Sequence, residues 1–208
     1  MSTTPEVACE CAKELAAIPG VSGSGGWIWC APEFDDFTYF SDDPEETAKI
    51  GKWLLFPTCQ EAATSFTKLV ASLSSSILIP PEDEDDEPLK ECLWMAKISP
   101  NENPQSHTHV ISVYNKDSTD LDAVLITAKL LDALRLVPPS GIYYKPDLFT
   151  FQKATTPQAT NSIYHWSPKT RRLSLRPGVE SLPRAWQERI KRNYDSLHSL
   201  IATLQPPA

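Results

Sequence analysis

Leu93-Trp94-Met95-Ala96-Lys97-Ile98-Ser99 and His109-Val110-Ile111-Ser112-Val113-Tyr114 read as two strands joined through Asn101-Glu102-Asn103-Pro104. Both runs are short, mostly apolar and bounded by turn formers. The link is too short and too polar to hold a crossover helix, and a parallel pair needs one. The two strands therefore pair antiparallel. Elsewhere strands alternate with helices, which alone would suggest a doubly wound parallel sheet, so this pair decides the class. The expected fold is α+β, an antiparallel sheet with helices packed on one face and the other face free for a ligand.

Outward from this pair, Gly51-Lys52-Trp53-Leu54-Leu55-Phe56 is a strand stopped by Pro57. In the helix expected over 60–73, Ala62, Phe66, Leu69, Val70 and Leu73 fall on one face, and Thr58 is its candidate cap. Leu121, Val124, Leu125, Ala128, Leu131 and Leu134 form a second helical stripe, with Ser118 or Thr119 as cap and Pro138-Pro139 as stop. Ile142-Tyr143-Tyr144 and Leu148-Phe149-Thr150-Phe151 read as one strand interrupted at Pro146, where a bulge or an edge is expected. A strand over 161–166 and an amphipathic helix from about Pro183 to Leu204 follow, the helix turning Trp186, Ile190, Leu197, Leu200 and Ile201 inward.

The N-terminal fifty residues read as an extension packed on a single domain over 51–204. The extension holds a short helix over 8–18, extended segments at Trp27-Ile28-Trp29 and 34–40, and a helix capped by Asp42 or Asp43. The acidic run Glu82-Asp83-Glu84-Asp85-Asp86-Glu87 lies in a proline-flanked stretch, about 76–90, expected to be a disordered loop.

The chain has 208 residues, 41% hydrophobic, with Pro 19 against Gly 7, which suits one sizeable core with many loops. No apolar run reaches the roughly 18 residues of a membrane span, so no membrane association is expected. The N-terminus lacks the pattern of a signal peptide, which makes cytoplasm or nucleus the expected compartment and reduced thiols the expected state of the five cysteines. The formal net charge of −8 conceals an acidic first half and a basic stretch from Lys145 onward. That asymmetry fits a basic phosphate-binding surface beside acidic loops, or simply an intramolecular pairing of the two.

Gly51-Lys52-Trp53, Ala96-Lys97-Ile98-Ser99, the third strand with Asp117-Ser118-Thr119-Asp120 after it, and Tyr144-Lys145-Pro146-Asp147 occur in that order with helices between. In these the chain resembles the basophilic-leukaemia-expressed protein family, which shares the fold of the cap-binding translation initiation factor. The resemblance spans residues 51–166. It implies a curved antiparallel sheet, helices on its convex side, a cavity on the concave side, and RNA or nucleotide binding rather than a known reaction. The cap-binding relatives hold methylated guanine between two tryptophans and a glutamate. Here Pro57-Thr58-Cys59-Gln60-Glu61 supplies no first aromatic, and Met95 follows Trp94 where the glutamate is needed, so that mode of methyl-cap recognition is not expected.

Lys52, Lys97 and Lys145 lie on three expected strands. If those strands are neighbours, their ammonium groups converge on one face as a phosphate cradle, with Ser99, Ser112, Tyr114 and Thr150 adding hydroxyls. Asp147 alone would not neutralise three cations. The competing reading is of ordinary strand lysines guarding edges, and of Asp147 in a structural salt bridge. His109 and Tyr144 complete the candidate ligand site. Trp166 beside Lys169-Thr170-Arg171-Arg172 is a candidate nucleic-acid surface, an aromatic next to clustered cations. His107-x-His109 has no third ligand at metal spacing, so neither metal nor cofactor is expected. No Walker loop, nucleophile elbow or dinucleotide fingerprint is present, and no catalytic residue is assigned. The leading expectation is a non-enzymatic RNA- or nucleotide-binding protein. Alternatives are a phosphate-ester-processing enzyme using Lys52, Lys97, His109 and Asp147, and a protein-interaction module. Oligomeric state is not legible.

Overall fold

The computed structural model describes residues 10–19, 21–24, 26–30, 44–74, 95–100, 103, 107–152 and 162–204. Among them are strands β1 (Ser22–Ser24), β2 (Trp27–Cys30), β3 (Gly51–Leu55), β4 (Met95–Ile98), β5 (Ile111–Asn115), β6 (Ile142–Pro146), β7 (Tyr164–Ser167) and β8 (Arg172–Leu175). The helices are α1 (Glu10–Ala16), α2 (Pro44–Lys49), α3 (Cys59–Ser74), α4 (Leu121–Ala133), α5 (Leu148–Gln152) and α6 (Arg184–Leu204). The strands form one curved sheet in the order β1-β2-β4-β5-β3-β6-β7-β8, every neighbouring pair antiparallel. The fold is thus α+β, with helices on the convex face. Among the described residues no helix is long and apolar enough to cross a membrane.

Alternation along each strand sorts residues between the faces. Ile28, Trp53, Ala96, Ile98, Val113, Tyr144, Tyr164 and Trp166 point to the helices and are buried in the main core with Phe66 and Leu69 of α3 and Val124 and Leu131 of α4. Polar tips within this core are tied to particular helices. The Trp53 indole N–H donates to the Val124 carbonyl at 3.2 Å, and the Tyr164 hydroxyl donates to the Ser118 carbonyl at 3.1 Å. The stripe expected on α3 is buried as read. At the start of α3 the Glu61 carboxylate accepts from both the Thr58 hydroxyl and the Thr58 N–H, which is the glutamate half of a capping box.

Several expectations change. The cap of α4 is Asp120, whose carboxylate accepts from the Ala123 N–H at 3.1 Å. Thr119 is drawn instead into a turn with Asp117, and Ser118 is buried. Residues 148–151 are helical, not a strand. Pro146 ends β6 opposite Gly51, and the Thr150 N–H then donates to the Asp147 carbonyl, opening α5 with Phe149 fully buried. A short, mostly apolar run does not distinguish the two periods, and proline here terminates the strand without bulging it. Residues 22–24 and 27–30 do more than pack on the domain, since β1 and β2 extend its sheet beside β4. Strand β8 was not expected at all. The 34–40 segment, Asp42, Asp43, the acidic run, Trp94, Cys9 and the side chains of Leu200 and Ile201 lie outside the described residues.

Gly141 precedes β6 with φ 85, and a side-chain carbon there would meet the Trp166 carbonyl and the His165 ring. Both the left-handed backbone and the close approach require glycine. Gly141→Ala is expected to cost about 1–3 kcal/mol, read from urea unfolding. A variant as stable as the parent would show that this turn has room to move.

Candidate functional site on the second face of the sheet

The face away from the helices carries an unbroken row of directly opposed residues. Ser22, Trp29, Lys97, Ser112, Leu54, Tyr143, His165 and Ser174 run across all eight strands. The adjacent row holds Met95, Tyr114, Lys52 and Lys145, with Tyr114 opposite Met95 on one side and Lys52 on the other. Lys52, Lys97 and Lys145 therefore share one face on neighbouring rows. That face is not bare, as the sequence reading expected. Ile50, Met95 and Tyr114 form a small buried cluster against which Trp29 packs, and Ser112 is also buried.

The lysines do different work. Lys52 is buried and ion-paired with the equally buried Asp147, which the β6–α5 junction holds in place by its N–H bond to the Ile50 carbonyl at 2.8 Å. The Lys97 ammonium sits among aromatic faces, 4.4 Å from the Trp27 ring centre, 4.5 Å from Trp29 and 5.4 Å from Tyr114. Tyr114 lies between the two lysines, with the Lys52 ammonium 5.2 Å from its centre. Burial, then the Lys52 charge, pull the Lys97 ammonium down to about 8, with Asp147 opposing. The aromatic faces also favour the charged form. Burial, followed by the Asp147 carboxylate, pushes the Tyr114 hydroxyl well above its ordinary range, so it is a neutral donor.

Farther along the row, Tyr143 is an exposed aromatic. The His165 ring lies 4.7 Å from it and the Arg176 guanidinium 5.3 Å, so it is flanked by an imidazole and a cation. Lys169, Arg171 and Arg172 are exposed at the neighbouring β7–β8 hairpin. A groove of about 710 Å³ opens at this end of the sheet between the close of β3, α3 and the loop after α4, with Tyr143, Phe56, Lys68 and Arg135 in its walls.

Other expected site residues lie elsewhere. Ser99 is near Lys97 in sequence, but its hydroxyl accepts from the Val110 N–H at 2.9 Å and serves the β4–β5 link. His109 is fully buried, and its Nδ1–H donates to the Ser99 carbonyl at 2.8 Å. Tyr144 belongs to the core, edge-on to Trp53 at 5.2 Å. Trp166 is likewise core, not a surface for bases, because the alternation of β7 turns it toward the helices. The enzyme alternative drew His109 together with Lys52, Lys97 and Asp147, whereas the buried imidazole is bonded to the Ser99 carbonyl of the β4–β5 link. His107 stands exposed in a left-handed turn with φ 54, apart from His109. Among the described residues no cluster of three or more His, Cys, Asp or Glu side chains could hold a metal. Burial pushes the Cys30 thiol up to about 11, so it is a core thiol and not a nucleophile. Sequence reasoning missed Trp27 and Trp29 as partners of Lys97, although Trp-x-Trp on a strand places both indoles on one face. It also missed Tyr143 as the exposed member of its tyrosine pair.

No family model matches the sequence. Among solved structures, eIF4E-3 of Ascaris suum with an m2,2,7G cap is similar at 20% identity, covering 58% of this chain and 61% of that one with a TM-score of 0.41. Schistosome eIF4E complexed with m7GpppA and 4E-BP is similar at 17% identity, covering 69% of this chain and 72% of that one, TM-score 0.44. Caenorhabditis elegans eIF4E-3 with the 4E-binding protein Mextli and a cap analog is similar at 16% identity, covering 64% and 72%, TM-score 0.44. The chain spans 61% of the length of the first of these. These likenesses decide neither ligand nor partner.

Proposed function

We propose that this protein binds RNA or a nucleotide through phosphate groups on the second face of its sheet, without the two-tryptophan mode of methyl-cap recognition, and that it is a member of the basophilic-leukaemia-expressed family. The observation that carries the reading is the convergence of Lys52, Lys97 and Lys145 on adjacent rows of one face. Asp147 matches Lys52, and the rings around Lys97 stabilise its charge without cancelling it. A desolvated cation without a carboxylate is costly, and an incoming phosphate relieves that cost. Tyr143, exposed between His165 and Arg176, offers a stacking surface for a base on the same face, and the basic hairpin extends the positive side beyond it.

The test is titration of a labelled single-stranded RNA at several salt concentrations, where binding through phosphates gives a falling log–log dependence. Lys97→Met with Lys145→Met should keep the melting temperature and weaken binding by roughly 1–3 kcal/mol for each charge-assisted hydrogen bond to phosphate that the variant no longer makes. Unchanged affinity in the double variant sinks the reading. Binding should also weaken as pH rises through about 8, because the Lys97 ammonium loses its proton there and the phosphate loses a partner. A methylated cap analogue should compete no better than an unmethylated guanine nucleotide. A strong methyl preference would overturn the cap-independent part of the proposal.

A further inference from the structure

The geometry points to Lys97 as an internal plug: its ammonium fills an aromatic cage of Trp27, Trp29 and Tyr114 and thereby makes the site refuse cationic ligands. Three electron-rich faces within 5.4 Å of one point form a receptor for a cation such as a quaternary or methylated ammonium group. Here the protein supplies that cation itself.

The arrangement follows from the sheet. Trp27 and Trp29 alternate with the buried Ile28, so both indoles leave β2 on the same side. Pairing of β2 with β4 sets Lys97 directly opposite Trp29, and pairing of β4 with β5 brings Tyr114 diagonally alongside. Trp29 and Tyr114 lie 22° from parallel with their centres 6.3 Å apart. Among the described residues no carboxylate lies within salt-bridge reach of Lys97; the three rings are in contact range, and Asp147, already paired with Lys52, favours its charge from farther off. The same occupancy turns the site toward anions, because a phosphate meets a cation already in place whereas a second cation meets both repulsion and a filled cage. Lys97 is then the residue that sets the sign of the ligand. That preference for anions rests on the proposed use of the second face as the ligand face.

Tetramethylammonium and choline serve as probes, followed by tryptophan fluorescence and calorimetry with no RNA present. The parent protein should show no saturable response. Lys97→Ala should empty the cage and bind both probes about tenfold or more tighter than the parent. Lys97→Met, a neutral filler of similar length, should stay closed, which separates occupancy from charge. A Lys97→Ala protein that melts like the parent yet binds neither probe overturns the proposal, as does a parent that binds them equally well. Should the alanine variant fail to fold, the parent still decides. The side-chain ε-protons of Lys97 should be shifted upfield by the rings and return toward ordinary values in Trp29→Ala. Unshifted ε-protons in the parent overturn the plug. Capture of the probes by Lys97→Ala, with no RNA binding by the parent, would sink the RNA reading and leave the plug standing.

Discussion

Asp147→Ala should destabilise the fold by about 3–5 kcal/mol, since it leaves the Lys52 ammonium buried without its counter-charge. Both partners of this pair are almost inaccessible to solvent, and Lys52 stands near the start of β3, an inner strand of the sheet. Neither neighbour on that face relieves the deficit. Tyr114 offers a ring and not a charge, and Lys97 adds repulsion. Lys52→Met combined with Asp147→Leu should recover most of the stability, because removing both charges also removes both desolvation costs. Urea unfolding of the single and double variants measures the difference. A single variant within about 1 kcal/mol of the parent would show that water reaches the pair and screens it.

Trp53→Ala should cost a similar amount, about 3–5 kcal/mol. The indole is fully buried at the centre of the sheet, edge-on to Tyr144, and its N–H satisfies the Val124 carbonyl of α4. Truncation opens a cavity and leaves that carbonyl without its side-chain donor. Trp53→Phe should fall between the two, retaining most of the volume but not the hydrogen bond. Denaturant midpoints rank the three proteins, and a midpoint for Trp53→Ala near the parent's would mean that α4 collapses onto the sheet to fill the space.

The lysine face was partly legible because strand alternation is a local property. Lys52 opposes Lys145 across one strand pair, and period-two alternation turns each away from its neighbour Trp53 or Tyr144, although the sequence reading counted Tyr144 with the ligand site. The same alternation was available for Trp27-Ile28-Trp29, but nothing local reveals which strand lies beside it. Its neighbour β4 is almost seventy residues away, so the cage around Lys97 depends on a long-range pairing. The burial of His109, Tyr144 and Trp166 was hidden for a related reason. Polar or aromatic character does not say which face a residue takes when a strand begins one residue earlier or later.

The existence of the long helices, the inner faces of α3 and α4 and the antiparallel class were determined by the sequence alone. The 3.6-residue period on α3 and α4 and the short polar link between β4 and β5 are constraints within a few residues of chain, and they leave little choice. Short segments were decided only in the tertiary structure. Residues 148–152 became a helix because the end of β6 and the fully buried Phe149 fixed the backbone there, and β8 formed because β7 offered it an edge. The ligand face was decided the same way. An isolated strand carries a lysine at full hydration, and only the assembled sheet removes water from Lys52 and Lys97, giving one a carboxylate and the other three rings.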